Sequence, residues 1–172
     1  MKVSSVLITG CMAVLPLLAA SGQQNATDTQ FVNNAAEGGL AEVQLGQLAE
    51  QKGSSQAVKD FGHQMVTDHS KANNELKSVA STMNLTVPDK MNAQDQALYG
   101  RLSKLSGAQF DREYIRAMIK DHRTDIAEFR REGERAKDVD VRNFVNKTLP
   151  TLEHHLQMAK DANTKLGASA GR

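Results

Sequence analysis

Four residues that can bind a metal ion lie on apolar stretches of the sequence: Glu42, His69, His122 and His155. Helical spacing places each of them among apolar neighbours and near the middle of its own segment. Burying an unpartnered polar side chain costs roughly 2–7 kcal/mol, so such positions are normally apolar. Because the chain places a polar side chain there four times, we expect the four side chains to meet at one point.

Imidazole nitrogens and a carboxylate oxygen suit divalent zinc, copper, nickel or iron. Three histidines with Glu42 complete a tetrahedral site or leave one position for water. Asp68, Asp121 and Asp125 lie beside the same faces and are expected to orient the histidine rings or to act as further ligands. The alternative is a buried hydrogen-bonded layer without a metal, in which Glu42 pairs with a histidine and fixes the helix register.

Two further histidines are weaker candidates. His63 is about 120° away from the apolar face of its helix, so we expect it to be exposed. His154 also points away from the apolar face of its segment, but as the neighbour of His155 it is a substitute ligand.

The sequence predicts four long helices, which carry the four candidate ligands one each. Apolar residues recur at helical spacing in all four, and Ser106 and Gln109 have the spacing of a capping box. Pro150, inside the last helix, is expected to kink it. The predicted ranges are about 28–51, 55–83, 106–135 and 138–166, with a shorter amphipathic helix over 93–105.

Four long helices with compatible apolar faces predict an all-α four-helix bundle. The linker of about 22 residues before the third long helix is either a turn with an extra helix or a crossover along the bundle. A block around His69 recurs 53 residues later around His122, with the pattern aromatic-x-x-x-Met-aliphatic-x-Asp-His. Parallel second and third long helices would place both histidines at equal height. We therefore predict a ferritin-like bundle whose crossover linker carries a short extra helix.

The heights of the candidate ligands do not match fully when they are counted from the turns. Glu42 lies about 11 residues from its turn and His69 about 16, a mismatch of roughly 7 Å at 1.5 Å per residue. His155 is likewise further from its turn than His122. Either the turns lie elsewhere or the four groups form two layers.

The N-terminus has the pattern of a secretory signal peptide over residues 1–22. Lys2 precedes an apolar stretch over 6–20, and small residues follow at 19–22. We predict an exported protein of the periplasm or outer membrane, with one domain over 23–172 and its core at 28–166. The mature chain contains no second apolar run that could span a membrane.

The overall composition argues against several classes of function. The 21 basic and 20 acidic residues nearly cancel, which gives no indication of nucleic-acid binding. Aromatic residues make up 4% of the chain, and no nucleophile motif or phosphate-binding glycine loop is present. We therefore expect a binding protein and not an enzyme, with an envelope protein or a second copy of this chain as its partner.

Three ordered blocks carry a resemblance to a known family. They are Phe31-x-x-x-Ala35-Ala36-x-Gly38-x-x-Ala41-Glu42-x-x-Leu45, Phe61-x-x-x-Met65-Val66-x-Asp68-His69 and Leu149-Pro150-x-Leu152-x-x-His155-Leu156. The chain resembles, over residues 28–166, a family of exported bacterial proteins of unknown function that are often labelled outer membrane proteins. The resemblance implies a ferritin-like four-helix bundle in the cell envelope and no particular activity.

One departure limits what the ferritin likeness implies. Di-iron ferritins use Glu-x-x-His on paired helices, whereas Val66 and Ile119 stand three residues before His69 and His122. Iron oxidation is therefore not expected. The leading prediction is an exported bundle that binds a divalent transition metal for buffering or sensing, and the alternative is a metal-free envelope or stress-protective interaction protein.

Overall fold

The computed structural model describes the backbone of residues 19–170 and the side chains of residues 26–168. This part of the chain forms five helices and contains no strand. They are α1 (Ala19–Lys52), α2 (Gln56–Thr82), α3 (Ala93–Leu102), α4 (Gly107–Arg135) and α5 (Val139–Ala170). The prediction of an all-α bundle with four long helices and a short extra one is confirmed. Most of the predicted signal peptide, residues 1–18, lies outside the described residues.

The first helix begins earlier than the sequence predicted, at Ala19 and not at Asp28. Asp28 does not cap its own helix, because its carboxylate accepts hydrogen bonds from the backbone of Lys137 (3.0 Å) and Asp138 (2.8 Å). Asp28 therefore ties α1 to the turn between α4 and α5.

Local capping explains most of the other boundaries. Ser55 caps α2 through its side chain, and Asp138 caps α5 by accepting from the amides of Asp140 (2.8 Å) and Val141 (3.1 Å). The predicted capping box at Ser106 is wrong, since its side chain makes no capping hydrogen bond. Gly107, the first residue of α4, has a φ of +59°, a left-handed backbone conformation that glycine adopts readily.

Two further sequence features have a clear place in the helices. Asn84, two residues after the end of α2, has a φ of +55°, a left-handed conformation that asparagine tolerates. Pro150 lies inside α5, which continues as one helix around it. The kink expected at Pro150 stays a prediction.

The helices form a bundle in which α2 and α4 run parallel. α1 packs beside α2 and α4, and α5 packs beside the same two helices, so α2 and α4 face each other across the bundle. The starts of α2 and α4 lie together, because Asp111 accepts hydrogen bonds from Ser54 and Ser55. At the opposite end, Thr82 donates to Asp140 at 3.0 Å. The linker that carries α3 therefore crosses the length of the bundle, as the internal repeat predicted, while a closer relationship to ferritins stays a prediction.

The core consists of two apolar clusters stacked along the bundle. The first contains Phe61, Phe110 and Tyr114, near the turn between α1 and α2. The second contains Phe31 and Phe144, near the turn between α4 and α5. Each long helix contributes residues to both clusters, so the middle of the bundle lies between the two clusters. None of the described helices has the length and the apolar composition needed to span a membrane.

Candidate metal centre

The four predicted ligands meet between the two apolar clusters. As whole residues, His122 and His155 are 0% exposed, His69 is 4% exposed and Glu42 is 6% exposed. One ligand nitrogen of each histidine lies within 4.8 Å of the other two. The ring centroids are 5.9 Å apart for His69 and His122, and 5.1 and 5.5 Å for the pairs that include His155. The four side chains therefore form one layer and not two.

The direction of side chains on antiparallel helices removes the expected height mismatch. Side chains of an α-helix tilt toward the N-terminus of their own helix. In the hairpin of α1 and α2, Glu42 therefore tilts away from the turn and His69 tilts toward it. Nδ1 of His69 lies 2.8 Å from Oε2 of Glu42 as a result. The same tilt brings His122 and His155 together in the second hairpin.

Each histidine has one ring nitrogen that contacts an oxygen at the edge of the layer. Nδ1 of His69 lies 2.8 Å from Oε2 of Glu42, and Nε2 of His155 hydrogen-bonds to Oδ2 of Asp68 at 2.8 Å. Nδ1 of His122 donates to the backbone oxygen of Met118 at 3.1 Å. This leaves Nε2 of His69, Nδ1 of His155 and Nε2 of His122 directed into the layer, and we call these the inward nitrogens.

The spacing of the inward nitrogens is compatible with one metal ion between them. Nε2 of His69 and Nδ1 of His155 are 3.2 Å apart. Two nitrogens that are each about 2.0–2.1 Å from one ion, at the tetrahedral angle, are about 3.3–3.4 Å apart. Nε2 of His122 is buried without a hydrogen-bond partner, and so is Oε1 of Glu42, 3.7 Å away. A carboxylate or carbonyl behind each ring is the usual support for a metal-binding histidine.

Burial keeps the three imidazoles in the neutral form that binds metals. Burial lowers the pKa of His122 to about 3, helped by repulsion from the other two histidines. Burial likewise lowers the pKa of His69 to about 4 and that of His155 to about 4. For Asp68, burial acts to raise the pKa, but hydrogen bonds from Gln64 and His155 lower it overall. At neutral pH, all three rings are therefore uncharged.

Two proton arrangements are compatible with the pair of His69 and His155. Burial raises the pKa of Glu42 to about 8, and a protonated Glu42 can donate to His69, which then donates to His155. With Glu42 ionised, both nitrogens of the 3.2 Å contact carry lone pairs, which repel each other unless a cation lies between them. In neither arrangement does Nε2 of His122 gain a partner among the described groups.

The three neighbouring aspartates divide between two sides of the layer. Asp68 holds His155, as expected for a residue that orients a ring. Asp121 and Asp125 instead lie with Glu42 and His122, where one ligand atom of each residue is within 4.8 Å of the others. Among the described side chains, neither aspartate hydrogen-bonds to a histidine ring, so both are placed as additional oxygen donors. Burial and repulsion from Glu42 raise the pKa of Asp121 to about 7 and of Asp125 to about 10.

The weaker candidates lie outside this group. His63 has a side chain that is 74% exposed and bonds to Glu50 at 2.8 Å, which confirms the expected exposure. His154 is exposed, with its ring 6.4 Å from that of His155, and belongs to neither group of convergent ligand atoms among the described residues.

Sequence reasoning missed several parts of the site. The backbone oxygen of Met118 orients His122, and its position four residues earlier on the same helix could have indicated this. The ring of Phe61 packs against His122 at 6.5 Å and His155 at 6.3 Å, which restrains both rings. A cavity of about 50 Å³ beside Glu42 and His69 was also missed, because its walls come from four helices.

Comparison with known proteins identifies the family and the fold of this chain but assigns no function. Residues 14–162 match the family described as a domain of unknown function, DUF4142, and the chain belongs to that family. The crystal structure of a DUF305 fragment from Deinococcus radiodurans is similar, with a TM-score of 0.72 and 12% sequence identity. That likeness covers 81% of this chain and 96% of the other, and at this identity it indicates the fold alone. None of the curated proteins matches the chain.

Proposed function

We propose that this protein is an exported metal-binding bundle that holds one divalent transition-metal ion between His69, His122 and His155. Glu42 serves as a fourth ligand or as the acceptor that orients His69. The observation that carries the proposal is the set of three inward nitrogens, each on a ring whose other nitrogen already contacts an oxygen. A purely structural layer has no reason to leave Nε2 of His122 unpartnered at 0% exposure.

The donor set determines the class of ion. Three neutral imidazoles with a carboxylate favour zinc, copper(II), nickel or iron(II) over magnesium or calcium, which prefer oxygen ligands. The chain has one cysteine, Cys11, within the predicted signal peptide, so the mature protein offers no thiolate. We therefore propose a site for a borderline divalent ion.

Burial of the site favours storage or sensing of the ion over catalysis. The cavity beside Glu42 and His69 has about 50 Å³, which holds a few water molecules and no sizeable substrate. Because the ligands come from four helices, binding of an ion fixes all four helices relative to one another. Such coupling between occupancy and bundle stability suits buffering or sensing in the cell envelope.

The test is metal content and thermal stability of untagged protein. Wild type incubated with Zn²⁺ and freed of excess metal should retain about one equivalent, and Zn²⁺ at about 100 times its Kd should stabilise the fold by about 2.7 kcal/mol. This corresponds to a rise in Tm of about 5–10 °C. His122→Ala should abolish both effects, whereas His154→Ala, the exposed neighbour of His155, should preserve them.

The alternative function is a metal-free interaction protein. It is favoured by one observation: the chain of contacts from Glu42 through His69 and His155 to Asp68 can be bonded throughout without an ion. Under this alternative, wild type retains less than about 0.2 equivalents of any transition metal and its Tm does not respond to Zn²⁺. That result would remove the proposed metal function.

A further inference from the structure

The buried layer has a second half that the three histidines leave unexplained. Glu42, Asp121 and Asp125 converge there, each with one oxygen within 4.8 Å of the others and of a nitrogen of His122. Oε1 of Glu42 is buried without a hydrogen-bond partner, while its Oε2 lies 2.8 Å from Nδ1 of His69. No ion pair joins any of the three carboxylates to a lysine or arginine among the described side chains.

The internal repeat explains why this half is different. The offset of 53 residues relates Asp68 on α2 to Asp121 on α4, and the matching approximate twofold symmetry of the bundle relates His155 to Glu42. Asp68 therefore meets a histidine, which donates a hydrogen bond to it at 2.8 Å. Asp121 meets a carboxylate in the equivalent place. One half of the layer therefore pairs an aspartate with a histidine, and the other half places two acids side by side.

Asp125 makes the imbalance larger. Its equivalent under the same offset is Ala72, so the third acid occurs on this side only. Asp125 also lines the cavity of about 50 Å³, together with Glu42 and Glu128. Three carboxylates gathered in a partly buried space repel one another unless protons or a cation neutralise them.

We propose that Glu42, Asp121 and Asp125 form a second cation position, next to the three histidines, for a divalent ion that prefers oxygen ligands. Glu42 links the two positions, since its Oε2 lies 2.8 Å from Nδ1 of His69 and one of its oxygens belongs to the group that includes both aspartates. His122 has only Nε2 free, so it serves one ion at a time. The open side at Gly38, where an added Cβ would meet nothing within 4 Å, lies on the wall of the acidic cavity and gives the ion a route inward.

The proposal rests on the proposed function, because both positions share one buried layer, and two probe ions separate them. Co²⁺ reports the three-histidine position through its visible absorption, and Mn²⁺ reports the oxygen-rich position through electron paramagnetic resonance. In wild type, Mn²⁺ should bind without displacing Co²⁺. The double variant Asp121→Asn and Asp125→Asn should lose at least about tenfold in Mn²⁺ affinity and keep its Co²⁺ affinity within about threefold.

Controls distinguish the two possible failures. Glu113→Gln, an exposed acid on the same helix, should leave both affinities unchanged. A Co²⁺ spectrum like that of wild type in the double variant demonstrates that its bundle is folded. The second position would be overturned if Mn²⁺ displaces Co²⁺ one for one, or if the double variant binds Mn²⁺ as tightly as wild type does. Either result would leave the proposed function standing. If wild type binds Mn²⁺ but does not bind Co²⁺, the proposed function is overturned and the second position is still supported.

Discussion

Replacing Gly62 by alanine should destabilise this protein, although the same change usually stabilises a helix. Alanine is favoured over glycine in a helix interior by about 1 kcal/mol. A Cβ at position 62, however, would lie 2.8 Å from the backbone oxygen of Gly46, 2.9 Å from Cβ of Ala49 and 3.1 Å from the backbone nitrogen of Glu50. These atoms cannot rotate away, so α1 and α2 must separate.

The expected loss can be worked from these contacts. Overpacking a well-packed site costs typically 1–3 kcal/mol, and three contacts with rigid atoms place Gly62 at the upper end. After the gain in helix propensity of about 1 kcal/mol, the net loss should be about 2 kcal/mol. Gly62 is two turns before His69, and Gly46 is one turn after Glu42. Separation at this point should therefore weaken metal binding as well.

The assay is urea unfolding followed by circular dichroism, and Gly38→Ala is the matched control. Gly38 lies in the interior of α1, and an added Cβ there meets nothing within 4 Å. We expect this variant to gain about 0.5–1 kcal/mol with the denaturant slope unchanged. If both variants gain stability by similar amounts, the close approach of α1 and α2 at Gly62 has been misjudged.

Three further predictions test other contacts. Asp111→Ala should lower the free energy of unfolding in urea by about 3 kcal/mol, because the buried Asp111 carboxylate accepts three hydrogen bonds of 2.8–2.9 Å from the turn before α2. Glu113→Gln, the exposed control, should lower it by less than about 0.5 kcal/mol. Asp68→Asn should weaken Zn²⁺ binding about 10–100-fold in calorimetric titration, and His63→Ala should not change it. Protein recovered from the periplasm should begin near residues 20–23 in N-terminal mass spectrometry, and an uncleaved N-terminus would contradict the predicted signal peptide.

The fold was predictable where the signal is local and repeated. Apolar residues at helical spacing identified the four long helices, and the 53-residue repeat predicted that the helices carrying His69 and His122 run parallel. Boundaries set by contacts between distant segments were not predictable. The sequence predicted that the first helix begins near Asp28, but Asp28 lies inside α1 and bonds to the turn after α4, more than one hundred residues away. No local pattern distinguishes these two uses of an aspartate.

The candidate site was predictable in its members and not in its geometry. Glu42 and the three histidines were identified as polar residues on apolar faces, because burial of an unpartnered polar group is so costly that such positions are rarely polar. Counting residues from the turns overestimated the separation of Glu42 and His69, since it measured the backbone and ignored the opposite tilt of side chains on antiparallel helices. Which ring nitrogen faces inward depends on partners such as the backbone oxygen of Met118, which a sequence pattern does not specify.

The layer is an approximately symmetric arrangement in which the residues at corresponding positions of α1 and α5 differ. The two repeated blocks supply an Asp-His pair each, and the flanking helices α1 and α5 supply one residue each to complete it. Where α5 supplies His155, the neighbouring aspartate gains a donor, and where α1 supplies Glu42, the neighbouring aspartate gains a second acid. Glu42→His would restore the symmetry, adding a fourth imidazole and removing one carboxylate. It should raise Co²⁺ affinity relative to Mn²⁺ affinity, and an unchanged ratio in competitive titration would contradict the assignment of Glu42 to the oxygen-rich position.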